Sequence, residues 1–206
     1  STLGWTDEIQ HTNVSGEDQD LSHDRITALR LGVSLNRCLT GCLGIDFQYS
    51  RGIDIASRSQ GDVGKGTPLS RSSGKNNFSH FNLDTTYAVA LDKNLEFNIN
   101  TGGQLSLDDL LNSEQSSITG PDKLSGFTSG SISGDESWYF RGQLNYKKKL
   151  SNKLSLTPYV YGATGVSYTL TPTATENRAT AAKSIGLGLK VDGIDNYFLD
   201  KNISAK

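Results

Sequence analysis

The chain has 206 residues and a mass of 22.2 kDa, which is enough for one sizeable domain or for a segment of a larger one. Its 20 Lys and Arg residues against 22 Asp and Glu residues give a net charge of -2, and no long basic run predicts a nucleic-acid partner. The mean hydropathy is -0.44, and no window of about 18 consecutive apolar residues is present, which excludes a transmembrane helix. A transmembrane β-barrel passes this test, because only every second residue of its strands faces lipid.

The dominant pattern in the sequence is an alternation of apolar and polar residues. Between residues 94 and 107, odd positions such as Leu95, Phe97 and Ile99 are apolar, whereas most even positions are polar. A period of two residues is typical of a strand with one apolar and one polar face. The pattern predicts nine strands, near residues 3–10, 25–37, 42–53, 77–91, 94–107, 136–149, 153–170, 181–191 and 196–206.

The connections between these strands alternate between short and long. The short ones lie near residues 38–41, 91–94, 150–153 and 192–196, and the long polar ones near 10–24, 52–76, 108–135 and 171–180. An up-and-down antiparallel meander produces this alternation when one end of the sheet has hairpin turns and the other end carries loops, as in outer-membrane barrels. The prediction is therefore an all-β, up-and-down transmembrane β-barrel.

The chemistry of the two strand faces also favours a membrane barrel over a soluble barrel or sandwich, whose apolar side would point inward. Glu96, Arg141 and Gln143 fall on the polar face and are predicted to line a wet lumen. Aromatic residues such as Tyr49 and Trp138 lie toward strand ends, where aromatic girdles occur. Because single-chain bacterial barrels normally have an even number of strands, nine strands predict that residues 1–206 are a segment of one larger barrel domain.

The two cysteines, Cys38 and Cys42, lie four residues apart in a predicted short turn. Two interpretations stay open at this stage: a disulfide across the hairpin in an oxidising compartment, or two free thiols that pack as small apolar groups. Two cysteines alone are too few for a tetrahedral zinc site.

No group of residues predicts catalysis, a metal or a cofactor. Residues 61–67 look like a phosphate-binding loop, but Lys65 is followed by Gly66 instead of Ser or Thr. The acidic residues near 16–24 lack the calcium-loop pattern. His11, His23 and His80 have no partner at metal-ligand spacing, and His80 falls on the polar face, where contact with lumen water is the expected environment.

Residues 101–146 resemble the barrel of the two-partner secretion transporters, the haemolysin and filamentous-haemagglutinin secretion proteins related to the barrel-assembly superfamily. The resemblance rests on Thr-Gly-Gly-Gln-Leu-Ser-Leu-Asp-Asp-Leu-Leu from residue 101, then Ser-Ile-Thr-Gly-Pro-Asp-Lys-Leu-Ser-Gly-Phe from residue 117, then Ser-Gly-Asp-Glu-Ser-Trp-Tyr-Phe-Arg-Gly from residue 133. Further stretches agree near residues 31–54 and 158–165. The ordered set is more specific than any one of these short motifs.

In that family a long loop folds back into the pore and carries a Val-Arg-Gly-Phe or Val-Arg-Gly-Tyr motif, whose Arg pairs with an Asp on the inner barrel wall. In this chain Ser125 falls where the motif has Arg, and Ala163 falls where the wall Asp is expected, so both charges of this pair are absent. We therefore expect this loop to be held by packing of Phe127 and by hydrogen bonds, with no ion pair. Lys123 is a possible substitute cation, but it points to the opposite side of an extended segment. The residues that match the motif are Leu124, Ser125, Gly126 and Phe127.

The resemblance implies a non-enzymatic pore in the outer membrane of a Gram-negative-type bacterium. Such transporters place separate periplasmic recognition domains before the barrel, and we expect none among residues 1–206. The pore's implied partners are outer-membrane lipid and a large exoprotein, which is secreted and activated without nucleotide hydrolysis. Two alternatives share the strand pattern: a passive porin-like or structural outer-membrane barrel, and a soluble β-barrel binding module.

Overall fold

A computed structural model describes residues 1–13, 20–55, 68–151 and 154–192. The predicted strand at 196–206 and the loop at 61–67 lie outside these residues. The described residues form eleven strands: β1 Thr2–Asn13, β2 Asp20–Cys38, β3 Cys42–Gly52, β4 Ser79–Ala90, β5 Leu95–Ser106, β6 Ser116–Ser117, β7 Ser133–Gly134, β8 Glu136–Tyr146, β9 Lys148–Ser151, β10 Leu154–Tyr168 and β11 Ala179–Asp192.

The strands form one antiparallel up-and-down sheet in the order β1-β2-β3-β4-β5-β8-β10-β11, with β9 paired to β10. Neighbours in the sheet are joined by short turns at 39–41 and 91–94 and by long connections at 53–78, 107–135 and 169–178, as predicted. The predicted long connection at 10–24 is wrong in length, because β1 extends to Asn13 and β2 begins at Asp20. The fold-class prediction is therefore confirmed as a segment of an up-and-down antiparallel barrel sheet.

Differences from the predicted strands are small and local. β2 begins at Asp20, five residues earlier than predicted, because its first residues pair with the far end of β1. The predicted strand 136–149 is divided into β8 and β9 at Lys147, whose N–H donates to the main-chain oxygen of Asn94 in the neighbouring turn. β6 and β7, only two residues each, pair with each other inside the long loop and carry no periodic signal.

The two faces of the sheet differ in polarity. Along β8, Trp138 and Phe140 are 48% and 37% exposed. Their neighbours Tyr139 and Arg141 are 6% and 4% exposed, because the long loops cover this second face. Directly paired residues of antiparallel strands share a face, so the apolar face continues across the sheet. Its most exposed members include Leu31, Val33, Leu35, Phe47, Leu83, Leu105, Val160, Ile185, Leu187 and Leu189.

The buried residues lie between the polar face and the loops. One cluster joins Ile26 and Ala28 of β2 to Leu69, Phe78, Leu110 and Leu111 of two long loops. A second joins Ile118 and Leu124 of the loop at 107–135 to Tyr139, Tyr161 and Ala163 of β8 and β10. Among the described residues, no helix is both long and apolar enough to span a membrane.

Candidate functional site

The candidate site is the loop at residues 107–135, here called the inner loop, together with the part of the polar face that it covers. Its first leg, residues 107–115, ends in a 3-10 turn at Asn112–Glu114. β6 and β7 pair at the middle of the loop and are here called the loop base. Residues 120–130, beyond the base, are here called the tip segment.

Glu114 binds the first leg to the sheet. Arg30 of β2 donates to both carboxylate oxygens of Glu114, from Nη2 at 2.6 Å and from Nη1 at 3.0 Å. His80 of β4 lies with Nε2 3.0 Å from Oε2 of the same carboxylate. Gln104 of β5 donates to the main-chain oxygen of Glu114 at 3.0 Å. The leg is thus bound to three strands by one bidentate ion pair and two further hydrogen bonds.

The Glu114 carboxylate is held in its charged form. Burial alone would raise its pKa, but the hydrogen bonds from His80 and Arg30 outweigh burial and lower the pKa below its ordinary value of 4.5. His80 is 1% exposed, so the expected contact with lumen water is wrong: the inner loop covers this histidine and supplies its carboxylate partner.

Asp135, which follows β7 and forms the second leg of the inner loop, joins three loops. Its carboxylate accepts from Nη1 of Arg71 at 2.6 Å and from the main-chain N–H of Leu110 at 3.0 Å. It also accepts from the N–H of Leu170 at 2.8 Å and from Gln115 at 3.3 Å. Asp135 is fully buried, and its partners belong to the loops 53–78, 107–135 and 169–178. The expectation that the inner loop has no ion pair is therefore wrong, because each of its legs carries one.

The tip segment packs on the polar face through Leu124. This side chain is fully buried against Ile118, Tyr139, Tyr161 and Ala163. Phe127 is 40% exposed, so Leu124 supplies the buried apolar contact that we expected from Phe127. Ala163, the wall position expected to face the loop, does lie in the same cluster as the loop motif.

Arg141 of β8 contacts the rest of the motif. Its Nη1 donates to Oγ of Ser125 at 2.7 Å and to the main-chain oxygen of Lys123 at 3.0 Å. Arg141 is paired with Ala163 across β8 and β10. A cation therefore stands on the wall beside the position where the family places an acid, and the loop presents neutral oxygens to it.

The orientation of Arg141 is fixed by its neighbours on the polar face. The guanidinium lies 3.8 Å from the ring centroid of Tyr161, and Nη2 donates to Oε1 of Gln143 at 2.7 Å. Gln143 in turn donates to Asn145 at 2.6 Å. The Tyr161 ring lies over Gly186 of β11, where an added Cβ would be 2.6 Å from the ring. A residue larger than glycine at 186 would displace this ring, which supports Arg141.

Lys123 points away from this contact, as expected. Its Nζ donates to the main-chain oxygen of Ser117 at 2.7 Å and lies 4.9 Å from the ring centroid of Tyr139. Burial lowers the pKa of Lys123, and the nearby Asp84 carboxylate opposes this effect. Tyr139 donates its hydroxyl to Asp84 at 2.8 Å. Lys123 therefore binds within the loop and does not replace the motif's missing cation at the wall.

The other residues singled out in the sequence lie apart from the tip segment. Glu96 is exposed and paired with Asn145 at the short-turn end of the polar face. Cys38 and Cys42 form a disulfide across the turn between β2 and β3. In the described parts of the chain, no group of three or more His, Cys, Asp and Glu side chains could hold a metal ion.

Sequence reasoning missed Arg30, Arg71, Glu114 and Asp135, the charged residues that bind the two legs. Arg30 alone carried a signal, since it is a cation within the alternating pattern of a strand. The other three lie in polar loops, where a charge is ordinary.

Comparisons with known proteins agree with this fold. The family model described as haemolysin secretion/activation protein ShlB/FhaC/HecB matches residues 4–191. Among solved structures the chain is similar to CdiB from Escherichia coli, with a TM-score of 0.69 and 18% sequence identity, over 85% of this chain and 32% of that chain. This chain thus spans about a third of the length of that CdiB chain, and at this identity the likeness shows the fold alone. Among proteins with curated descriptions, none matches by sequence.

Proposed function

The chain belongs to the haemolysin secretion/activation protein family ShlB/FhaC/HecB, and from this premise we propose that it forms part of the pore that secretes and activates a large exoprotein without nucleotide hydrolysis. Family membership and the fold make it an outer-membrane protein of a Gram-negative-type bacterium. In this proposal, residues 1–206 belong to one barrel domain, outer-membrane lipid covers the apolar face, and the polar face lines the lumen.

The observation that carries the proposal is a long loop bound inside the polar face by side chains of several strands. Arg30, His80 and Arg141 hold it through hydrogen bonds to oxygen atoms of the loop. The hydrogen bonds that Arg141 donates to neutral oxygen atoms at the tip exchange readily for hydrogen bonds to water or to another polypeptide, because the net gain from each is modest. In this proposal the loop closes the lumen at rest, and an extended client replaces these contacts at its tip.

The lumen surface suits an extended polypeptide. Its residues include Asn82, Thr86 and Asn98, whose side chains both donate and accept hydrogen bonds. A wall of this kind satisfies the main chain of an unfolded client without the strong apolar contacts that would retain it. Short stretches of β-strand pairing between the client and the barrel also provide partners for the client's main-chain N–H and C=O groups.

The test compares the secreted proteins of a strain that carries the full-length protein with those of a strain that lacks it. We expect one large exoprotein to disappear from the medium when the gene is deleted and to return on complementation. Replacement of residues 120–130 by a short Gly-Ser linker should impair its export while the barrel still folds. Unchanged secretion, together with a steady ion conductance that survives the replacement, would instead identify the porin-like alternative.

A further inference from the structure

Lys183 of β11 is a cation on the apolar face of the sheet. It is paired with Thr164 of β10, and Ile185 follows it on the same face. The Lys183 side chain is exposed and forms no ion pair or hydrogen bond with the described part of the chain. A charged side chain among lipid-facing residues is costly unless it has a partner or reaches water. The membrane itself has to supply the partner of Lys183.

Lys183 lies near the end of the sheet that carries the long loops. Trp138, Val166 and Ala181 form a row of paired residues across β8, β10 and β11. This row is next to that of Lys183, on the side of the long loops. Exposed aromatic residues such as Trp138 mark the membrane–water interface of a barrel. A lysine at this level keeps its stem in the apolar layer and extends its ammonium group to the lipid headgroups.

A hollow in the apolar face lies beside Lys183, on the side of the short turns. Its volume is about 430 Å³, and its walls include Phe140 and Ile185. The floor is formed by Gly162, which is paired with Gly142 of β8. An added Cβ at Gly162 would meet no atom within 4 Å, so no neighbouring side chain requires a glycine there. Glycine inside a strand often marks a place where a ligand approaches the backbone closely.

We propose that Lys183 and this hollow bind one phosphorylated lipid of the outer leaflet, with a phosphate on the Lys183 ammonium group and an acyl chain in the hollow. The inference rests on one part of the proposed function, namely that lipid covers the apolar face and the long loops lie at the outer surface. Phosphate is the anion that membrane lipids present at this level, and an ammonium group binds it as a point charge with three donors.

The hollow distinguishes this place from the rest of the apolar face. Leu187 and Leu189 of the same strand project from the sheet and are 84% and 58% exposed. Such side chains contact lipid without enclosing it, so the lipids beside them exchange freely. At Gly162 an acyl chain reaches the backbone and is enclosed by Phe140 and Ile185. Apolar contact and a charge therefore act on the same lipid molecule.

The test measures how the full-length protein, purified in detergent and stripped of lipid, retains lipid A, which carries both phosphates and acyl chains. Native mass spectrometry counts the lipid molecules on each barrel, and we expect one to bind most tightly. Lys183→Gln should weaken its binding by about tenfold or more, the factor expected for a lost charge-assisted hydrogen bond. Lys183→Arg should retain it. Gly162→Leu fills the hollow and should weaken binding although the cation remains.

Lys148→Gln is the matched control. Lys148 is exposed and shares the apolar face with its paired residue Leu156, but it lies at the short-turn end of the sheet. Its replacement should leave binding within about twofold of the wild type. Inorganic phosphate alone, added at millimolar concentration, should not displace the lipid, because the acyl chain supplies part of the binding.

The proposal would be overturned by a wild type that retains no lipid A, or by a Lys183→Gln variant that binds it as well as the wild type at equal amounts of folded barrel. An equal loss from Lys148→Gln would also overturn it, since any cation of the face would then serve. Displacement by inorganic phosphate would reveal a simple anion site instead. Because lipid binding needs no client, the result decides the inference even if the strain comparison detects no secreted partner.

Discussion

Leu124 and Phe127 are apolar residues three positions apart in the same loop, yet only one of them is packed. A bridge with Thr119 places Leu124 against Tyr139 and Ala163, whereas the turn that follows, closed by the N–H of Phe127 donating to the main-chain oxygen of Leu124, leaves Phe127 40% exposed. Apolar character alone does not separate the two residues. Their burial separates them, and the burial of a side chain determines how much free energy is lost when it is truncated.

Leu124→Ala should therefore weaken loop attachment by about 2 to 5 kcal/mol, the usual range for a buried leucine. Phe127→Ala should change it by about 0.5 kcal/mol or less, as for exposed positions. Hydrogen exchange of the loop amides in the reconstituted protein measures the difference. Greater protection loss from Phe127→Ala would show that the packing of the tip is assigned wrongly.

Glu114 predicts a pH dependence whose sign follows from its lowered pKa. The carboxylate binds fewer protons in the attached loop than in a released one, so its contribution is complete above about pH 4.5. The contribution is lost as the pH falls below 4.5 through the lowered pKa of the attached state. Exchange of the amides at residues 112–118, corrected for its intrinsic pH dependence, should rise in that range.

Glu114→Gln is the matched variant for this prediction. It leaves Arg30 without its charged partner, which should weaken attachment by about 3 to 5 kcal/mol at neutral pH. The variant should also abolish the acid-dependent rise in exchange. The same rise in Glu114→Gln would assign the pH dependence to another group.

At the scale of strands, the alternation of faces determines which substitutions the membrane tolerates. Phe97 is paired with Leu144 on the apolar face, and Thr86 is paired with Asn100 on the polar face. Gln104 also lies on the polar face, but it donates to the main-chain oxygens of Glu114 and Asp135. A substitution at Gln104 would therefore disturb the loop as well as the wall, so Thr86, which is exposed, is the better polar-face control.

Phe97→Arg should destabilise the inserted barrel by about 2 to 4 kcal/mol if the residue lies near the bilayer midplane, whereas Thr86→Arg should be tolerated. Urea titration of the full-length protein refolded into lipid vesicles measures both. Equal losses in the two variants would contradict the assignment of the apolar face to lipid.

At the scale of the whole molecule, Asp135 couples three loops that are distant in sequence. Arg71 reaches it from 64 residues away and Leu170 from 35 residues away. Removing the charge should therefore loosen all three loops together, because each of them uses the same carboxylate.

Asp135→Asn should raise protease cleavage in the loops 68–78, 107–135 and 169–178 in parallel, through a loss of about 3 to 5 kcal/mol at the Arg71 pair. Limited proteolysis of the reconstituted protein, read by mass spectrometry, measures each loop separately. Asn112→Asp changes the charge at an exposed position of the same loop and is the control. Cleavage that rises in only one loop would show that Asp135 does not couple them.

The sequence by itself determined the strands, the order of short and long connections, and the division into two faces. These features follow from local rules, since the side-chain period of a strand is two residues and polar turn residues end it. The same patterns placed the cysteines at a turn and matched the loop motif to residues 124–127. Each of these features can be predicted from a short stretch of sequence, without knowledge of any long-range contact.

Only the tertiary structure decided how the inner loop is held. Arg30 and Glu114 are 84 residues apart, and nothing local to either residue indicates the other. The two residues pair because the loop folds back over the polar face, where a buried charge needs an opposite charge beside it. Arg141 lies on the same face, between Tyr161 and Gln143. In the family motif the cation lies on the loop. In this chain the cation is Arg141 on the wall strand β8, and the register of β8 with β10 places it beside Ala163.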